Sequence, residues 1–322
     1  MNNTEVTINS PKPPANSGIL TKIRQYGELV MFSHTLYSLP FGIVALFWAA
    51  DGFPPTRLFF WAVVALLAAR LGANAFNRIA DLVIDAKNPR TAMRHLQTGK
   101  IKVAEAWLIC VVCMAVLAIA AFMINATALV LLPAAAVLIL GYSYTKRFTW
   151  LCNFILGAAC ACAVVGAWIA VHGSTAFFPI TELLFGWLAI VPIILGGAVM
   201  LYVAGFDIVY AIQDIEVDRS QKIHSIPGKF GVKWALIISS AAHFGAIVLL
   251  GSLAVLAANG WLYLVGVAIM AFVLFMQNYT AYKIYYLADE SRKGTFFASY
   301  NVNRLNSACF LVFAMADLFL AF

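Results

Sequence analysis

Charged side chains are what this sequence has least of. Only 11% of its 322 residues are charged against 63% hydrophobic. A mean hydropathy of +0.89 excludes an ordinary soluble domain. The N-terminus has no apolar h-region, so no cleavable signal peptide is expected. Regular apolar–polar alternation is also missing, and long apolar runs stand in its place, which selects membrane helices over a transmembrane barrel. Cysteine is sparse: all six, Cys110, Cys113, Cys152, Cys160, Cys162 and Cys309, fall in apolar segments. The CxxC spacing of Cys110 and Cys113 has no second pair and no flanking histidine. The cysteines are therefore expected to be small packing residues, not metal or redox groups.

A membrane span needs about 20 apolar residues at about 1.5 Å rise to cross a hydrocarbon core of about 30 Å. The sequence divides into nine such segments, at 29–50, 57–86, 103–125, 127–146, 149–171, 187–213, 232–257, 261–288 and 300–321. Turn-forming residues separate them at Gly52 to Pro55, Lys146 to Thr149, Gly173 to Pro179 and Asn259-Gly260. The expected fold is all-α, a multispanning integral membrane protein with about nine transmembrane helices. Residues 1–28, polar and interrupted by proline, are expected to form a disordered cytoplasmic tail ahead of one membrane domain over 29–322.

Positive charge is concentrated on one side. Lys12, Lys22 and Arg24 lie in the tail, and Lys87, Arg90, Arg94, Lys100 and Lys102 follow the second span. Lys146, Arg147, Arg219, Lys222, Lys229, Lys233, Arg292 and Lys293 lie in later loops of the same side, whereas the opposite side has little beyond Arg57. The positive-inside rule then places the N-terminus and these loops in the cytoplasm, and the expected location is integral to the plasma membrane of the cell. The net charge of +7 follows from this topology, with attraction to anionic membrane lipid or an anionic ligand, and calls for no nucleic-acid partner.

Two stretches break the apolar pattern. Arg70, Asn74, Asn77, Asp81 and Asp85 recur at steps of four, three, four and four, one polar stripe on a helix. Downstream, Asp207, Asp214 and Asp218 share a face, and a basic loop again follows. Charge inside a span is costly and marks function unless it is paired or snorkelling. Carboxylates one turn apart, about 6 Å along the axis, can flank a hard divalent cation but cannot cage it alone. Mg²⁺ completed by phosphate oxygens suits that arrangement, and the basic residues after each stripe would hold the same anion. Glu216 points off the second face and is expected to be solvated.

The segments NRIADLVID, NPRTAMRHL, YSYTKRF and YAIQDIEVDRSQKIHSIP resemble the UbiA superfamily of intramembrane aromatic prenyltransferases. The likeness runs from SHTLYSLPFG to YNVNRLNSACF. It implies nine helices around a central cytoplasm-facing cavity, and Mg²⁺-dependent transfer of a polyprenyl group from polyprenyl diphosphate to an aromatic acid acceptor. Within it, the family's first motif falls on Asn77, Asp81 and Asp85 and its second on Asp214 and Asp218, implied to hold Mg²⁺ and thereby the diphosphate. The YxxxK motif falls on Tyr142 and Lys146, with Lys146 on the diphosphate, and Arg90 and Arg94 match the basic residues after the first motif. Many members carry Asp directly after the motif's Asn, where this chain has Arg78. The nearest relatives implied are 4-hydroxybenzoate polyprenyltransferases and their menaquinone-pathway counterparts acting on dihydroxynaphthoates.

The implied chemistry is physically consistent. An allylic diphosphate departs when cations neutralise the developing negative charge, and the carbocation left behind needs a dry site with π faces. Tyr142, Phe206 and Tyr210 are candidates for those faces, with core packing as the alternative for each. Arg70 either binds the acceptor's carboxylate or neutralises a nearby Asp, and Asn74 extends the same stripe inward. His95 and His224 either touch diphosphate or are ordinary loop residues. Asn303, Arg304 and Ser307, and also His34 and Ser38, either complete a cavity or serve helix packing. Asp317 is expected at the outer interface. A cation-coupled transporter, with the acidic stripes as ion sites, is the reading from another class.

Overall fold

A helix that is apolar all round must be buried in protein or in lipid. In the computed structural model, which describes residues 18–30, 39–173, 190–257, 259–288 and 293–320, seven helices are long and apolar enough to cross a membrane. The chain runs α1 Ile19–Leu29, α2 Leu39–Ala49, α3 Thr56–Ala80, α4 Leu82–Ala86, α5 Val103–Ile124, α6 Ala126–Thr145, α7 Cys152–His172 and α8 Ile190–Ala211. It continues with α9 Ile215–Ser220, α10 Ile226–Leu256, α11 Trp261–Ala281 and α12 Lys293–Leu320, and the described residues contain no strand. The expected count of nine long spans is thus not reached among the described residues. Two shorter apolar helices, Leu39–Ala49 and Leu305–Leu320, stand at the places of the first and last. The expected disordered tail also ends early, because Ile19–Leu29 is helical.

Successive helices pack side by side from α2 and α3 through α5, α6, α7, α8, α10 and α11 to α12, and α12 returns to α2, so the bundle closes as a ring. An aromatic knot holds the closing seam. The Phe41 ring lies 5.5 Å from Tyr202 and 5.2 Å from Phe310, and Tyr263 packs on Phe310 at 5.7 Å. The Tyr263 hydroxyl donates to the Leu250 carbonyl at 2.6 Å, which keeps a buried phenol satisfied. Next to this seam, α7 and α8 approach so closely that a Cβ on Gly157 would stand 2.2 Å from the Met200 carbonyl oxygen. Small residues are the usual means of such contact in membranes.

Asp317 lies beside the Asn259-Gly260 turn at the start of α11. It is buried and accepts hydrogen bonds from the backbone N–H of Gly260 at 2.7 Å and of Tyr263 at 3.1 Å, so α12 caps the start of α11. The cysteines are all free and form no metal-binding group among the described residues.

One half of the ring encloses a cavity of about 410 Å³ between α3, α5, α6 and α7. Alanine and leucine make most of its wall, among them Ala69, Leu131, Ala135 and Ala163, and its polar lining includes Arg70 and Tyr142.

Candidate active site

Both acidic motifs sit where a long helix breaks. The α3 helix ends at Ala80, Asp81 takes φ −95° and ψ 8°, and the five-residue α4 follows. The α8 helix ends at Ala211, a 3-10 turn covers Ile212–Asp214, Asp214 takes φ −104° and ψ 6°, and the six-residue α9 follows. The two aspartates thus share one backbone conformation, in the sparsely occupied bridge region. The polar stripe expected on an uninterrupted helix over 57–86 is broken at Asp81. Aspartate is a poor helix-interior residue, and its charge favours the N-terminus of the short helix that follows.

Hydrogen bonds from the loops draw these breaks to one end of the ring. Arg147 Nη2 donates to the Ala80 carbonyl at 2.5 Å, Gln221 Nε2 to the Ile84 carbonyl at 3.2 Å, and the His224 N–H to the Lys146 carbonyl at 2.7 Å. Arg90, from the loop after the first motif, reaches across to the second. Its Nε donates to Asp214 Oδ1 at 3.0 Å and its Nη2 to Oδ2 at 2.5 Å, a bidentate fork. The same guanidinium bonds the Tyr210 hydroxyl and lies 4.7 Å from the centre of its ring.

Every motif carboxylate has a partner. Lys146 Nζ stands 2.7 Å from Asp81 Oδ2, and Asn77 Nδ2 donates to the same oxygen at 3.1 Å and to Ser143 Oγ at 3.4 Å. Asp85 is bonded by Arg94 and has Arg78 at 3.6 Å. Ser225 Oγ donates to Asp218 Oδ2 at 2.6 Å. Arg78, which stands where many relatives carry Asp, is thus a built-in counter-ion for the first motif.

The expected residues divide into those the structure gathers and those it does not. Asn77, Asp81, Asp85, Lys146, Arg94, Arg90, Tyr210, Asp214 and Asp218 belong to the linked cluster at the helix breaks. Tyr142 and Arg70 line the apolar cavity, where Arg70 Nη1 contacts Cys160 Sγ at 3.4 Å. Asn74 turns its amide to the Val30 carbonyl at 2.6 Å and so holds the end of α1. His95 bonds Glu28 of α1 at 2.8 Å, His224 is exposed, and Glu216 is exposed as expected. Ser307 is fully buried. His34, Ser38 and the side chains of Asn303 and Arg304 lie outside the described residues.

The pattern of single residues did not point to four further contributors. Asn88 Nδ2 donates to Asp214 Oδ1 at 2.8 Å while its Oδ1 accepts from the Arg90 N–H at 3.0 Å. The Asn-Pro pair at 88–89 is a turn signal that marks such a residue. Ser225, Gln221 and Asn153 carry no comparable signal in the sequence.

Among the described residues, no three His, Cys, Asp or Glu side chains converge to cage a metal. The donor set nevertheless suits Mg²⁺. The motif side chains offer hard oxygens, and Asp81 Oδ1 is buried with no hydrogen-bond partner. Mg²⁺ is commonly held by one or two carboxylates and the substrate's own phosphates.

Residues 38–302 match the UbiA prenyltransferase family. The chain belongs to that family. Membership makes it a prenyltransferase of the membrane and sets aside the transporter reading. A 4-hydroxybenzoate octaprenyltransferase of Pseudomonas fluorescens is 28% identical over 256 residues, 79% of each chain. Its namesake from Pseudomonas aeruginosa is 31% identical over 209 residues, 62% of this chain and 66% of the relative. The apo structure of a UbiA homolog from Aeropyrum pernix K1 superposes with a TM-score of 0.79 at 32% identity, covering 88% of this chain and 98% of that one. A UbiA homolog from Archaeoglobus fulgidus, solved with DMAPP and Mg²⁺ bound, shares the fold with a TM-score of 0.61 at 19% identity, over 92% of this chain and 99% of that one.

Proposed function

We propose that this chain transfers a polyprenyl group from polyprenyl diphosphate to the ring of an aromatic acid, 4-hydroxybenzoate or a dihydroxynaphthoate, in quinone biosynthesis. The observation that carries the reading is the pair of matched helix breaks. Asp81 with Asp85 and Asp214 with Asp218 face an array of Lys146, Arg90 and Arg94, and an apolar cavity opens beside them. The names of the curated relatives favour 4-hydroxybenzoate as the acceptor.

In this reading Asn77, Asp81, Asp85, Asp214 and Asp218 hold Mg²⁺, which when bound neutralises diphosphate charge and favours its departure. Lys146, Arg90 and Arg94 then exchange carboxylate partners for diphosphate oxygens, which costs little because each already stands in a charged hydrogen-bond network. Arg90 would orient the anion with its planar fork, as its bidentate grip on Asp214 now does. Tyr142 and Tyr210 present aromatic faces to developing positive charge. The Ala and Leu walls of the cavity take the isoprenoid tail and exclude water, and Arg70 at its polar side takes the acceptor's carboxylate. The basic loops share this end of the ring, and the positive-inside rule supports a cytoplasmic site.

The test is purified protein with Mg²⁺, a polyprenyl diphosphate and a panel of 4-hydroxybenzoate and dihydroxynaphthoates, read by mass spectrometry. The expected product is a C-prenylated aromatic acid with one equivalent of diphosphate, formed only with the metal present. Failure to prenylate any acceptor, with no diphosphate released, overturns the reading.

A further inference from the structure

The leading aspartates of the two motifs are held in the same way, although only the first motif carries an asparagine of its own. Asp81 Oδ2 meets the Lys146 ammonium at 2.7 Å and accepts from the Asn77 amide at 3.1 Å, so one carboxylate has one cation and one neutral donor. Asp214 has the Arg90 fork as its cation, and its Oδ1 also accepts from Asn88 Nδ2 at 2.8 Å. Asn88 belongs to the loop after the first motif and lies 126 positions from this partner. An amide also serves the third aspartate of the region, where Asn153 Nδ2 of α7 donates to Asp207 Oδ2 at 2.8 Å.

The turn at Asn88 does not need this amide nitrogen. Backbone bonds close it: the Thr91 and Ala92 N–H groups donate to the Asn88 carbonyl at 2.9 Å and 2.8 Å, and the Asn88 N–H donates to the Asp85 carbonyl at 3.3 Å. Thr91 Oγ1 adds a bond to the Asp85 carbonyl at 2.8 Å. The Asn88 Oδ1 accepts from the Arg90 N–H at 3.0 Å, a side-chain turn that aspartate would make equally well. The Nδ2 donor is what distinguishes asparagine here, and it reaches across to Asp214. Asn88 is 8% exposed, so little water competes for that bond.

We infer that Asn88 is a positioning residue that keeps Asp214 aimed while Arg90 changes partner, an assignment that rests on the prenyl-transfer reading above. In that reading Arg90 has two duties, because the fork that grips Asp214 also turns to the diphosphate. When it turns, Asp214 loses both of its bonds to Arg90. Asn88 retains Oδ1 and so fixes the carboxylate's rotamer, and Oδ2 is left open. A neutral amide suits this task better than a second cation, since it orients the carboxylate without cancelling the charge that attracts a metal. Because Asn88 is anchored on the Asp85 carbonyl, the second motif is also set in place by the loop of the first.

The test titrates Mn²⁺ into wild type, Asn88→Asp and Asn88→Ala in the presence of geranyl thiodiphosphate, with the free ion read by electron paramagnetic resonance. Asn88→Asp keeps the side-chain turn to the Arg90 N–H and loses only the donor to Asp214, whereas Asn88→Ala loses both without adding a charge. Elution at the wild-type position in size-exclusion chromatography checks that each variant is folded. Both variants are expected to bind Mn²⁺ about tenfold or more weakly than wild type. The Mg²⁺ concentration for half-maximal turnover is expected to rise by a similar factor, with KM for the aromatic acceptor unchanged. Wild-type Mn²⁺ affinity in either variant overturns the assignment: in Asn88→Asp it would mean that the residue serves only its turn, and in Asn88→Ala that the lost donor does not matter. A wild type that retains no Mn²⁺ overturns the metal-site reading and this assignment with it, a result visible before any variant is made.

Discussion

Asp214→Asn is expected to lower turnover by about 10³-fold while the protein still inserts and folds, and Asp81→Asn is expected to do the same. The fold should survive because the substitution is isosteric. An amide oxygen at 214 can still accept from Asn88 and Arg90, and Arg90, with 31% of its side chain exposed, can turn its unpaired charge to water. What the substitution removes is one formal negative charge at a helix break, where the site has few others. Binding should fail with catalysis, so the rise in Tm that Mg²⁺ and prenyl diphosphate together produce in wild type is expected to vanish in either variant. Turnover near wild type in both would mean that these carboxylates are not the metal site.

Lys146→Met is expected to separate the two states of Asp81. Without substrate, Lys146 is the cation at 2.7 Å from a carboxylate whose side chain is 6% exposed. Removing it leaves a buried charge uncompensated, which is strongly destabilising. Added Mg²⁺ supplies the missing positive charge, so the metal is expected to raise the variant's Tm by more than it raises that of wild type. Catalysis behaves otherwise. With no ammonium to meet the departing diphosphate, kcat is expected to fall by about 10²–10³-fold even at saturating Mg²⁺. If Mg²⁺ stabilises both proteins equally, Lys146 and the metal do not act at the same carboxylate.

The periodic features were the legible ones. Long apolar runs carry helix and membrane information directly, and the nine expected segments lie where apolar helices occur, although only seven helices meet the length of a span. The aspartates at 81, 85, 214 and 218 were legible because a charge in an apolar run stands out against its neighbours. The helix breaks were not. Periodicity continues through Asp81 and Asp214 as if the helix did, because a break that keeps Asp85 N–H on the Asp81 carbonyl at 2.8 Å shifts the register very little. Partner choice was equally hidden. Asn74 shares a stripe with Asn77, yet it holds α1 and not the cluster, since which neighbour faces a helix depends on tertiary packing. Arg78 looked like a departure from the family pattern, and only its 3.6 Å approach to Asp85 reveals a counter-ion. Asn153 and Ser225 matter through single contacts with distant residues, and no local spacing encodes such contacts.

The most direct test of the account is where a metal binds. A structure of the protein with Mn²⁺ in place of Mg²⁺ and a non-hydrolysable polyprenyl thiodiphosphate would locate the ion by its anomalous signal. The account predicts signal between Asp81 with Asp85 and Asp214 with Asp218, the diphosphate bridging to Lys146 and Arg90, and the tail in the cavity lined by Ala135 and Ala163. Metal bound elsewhere, or a diphosphate held by the basic residues with no metal at the aspartates, would contradict it.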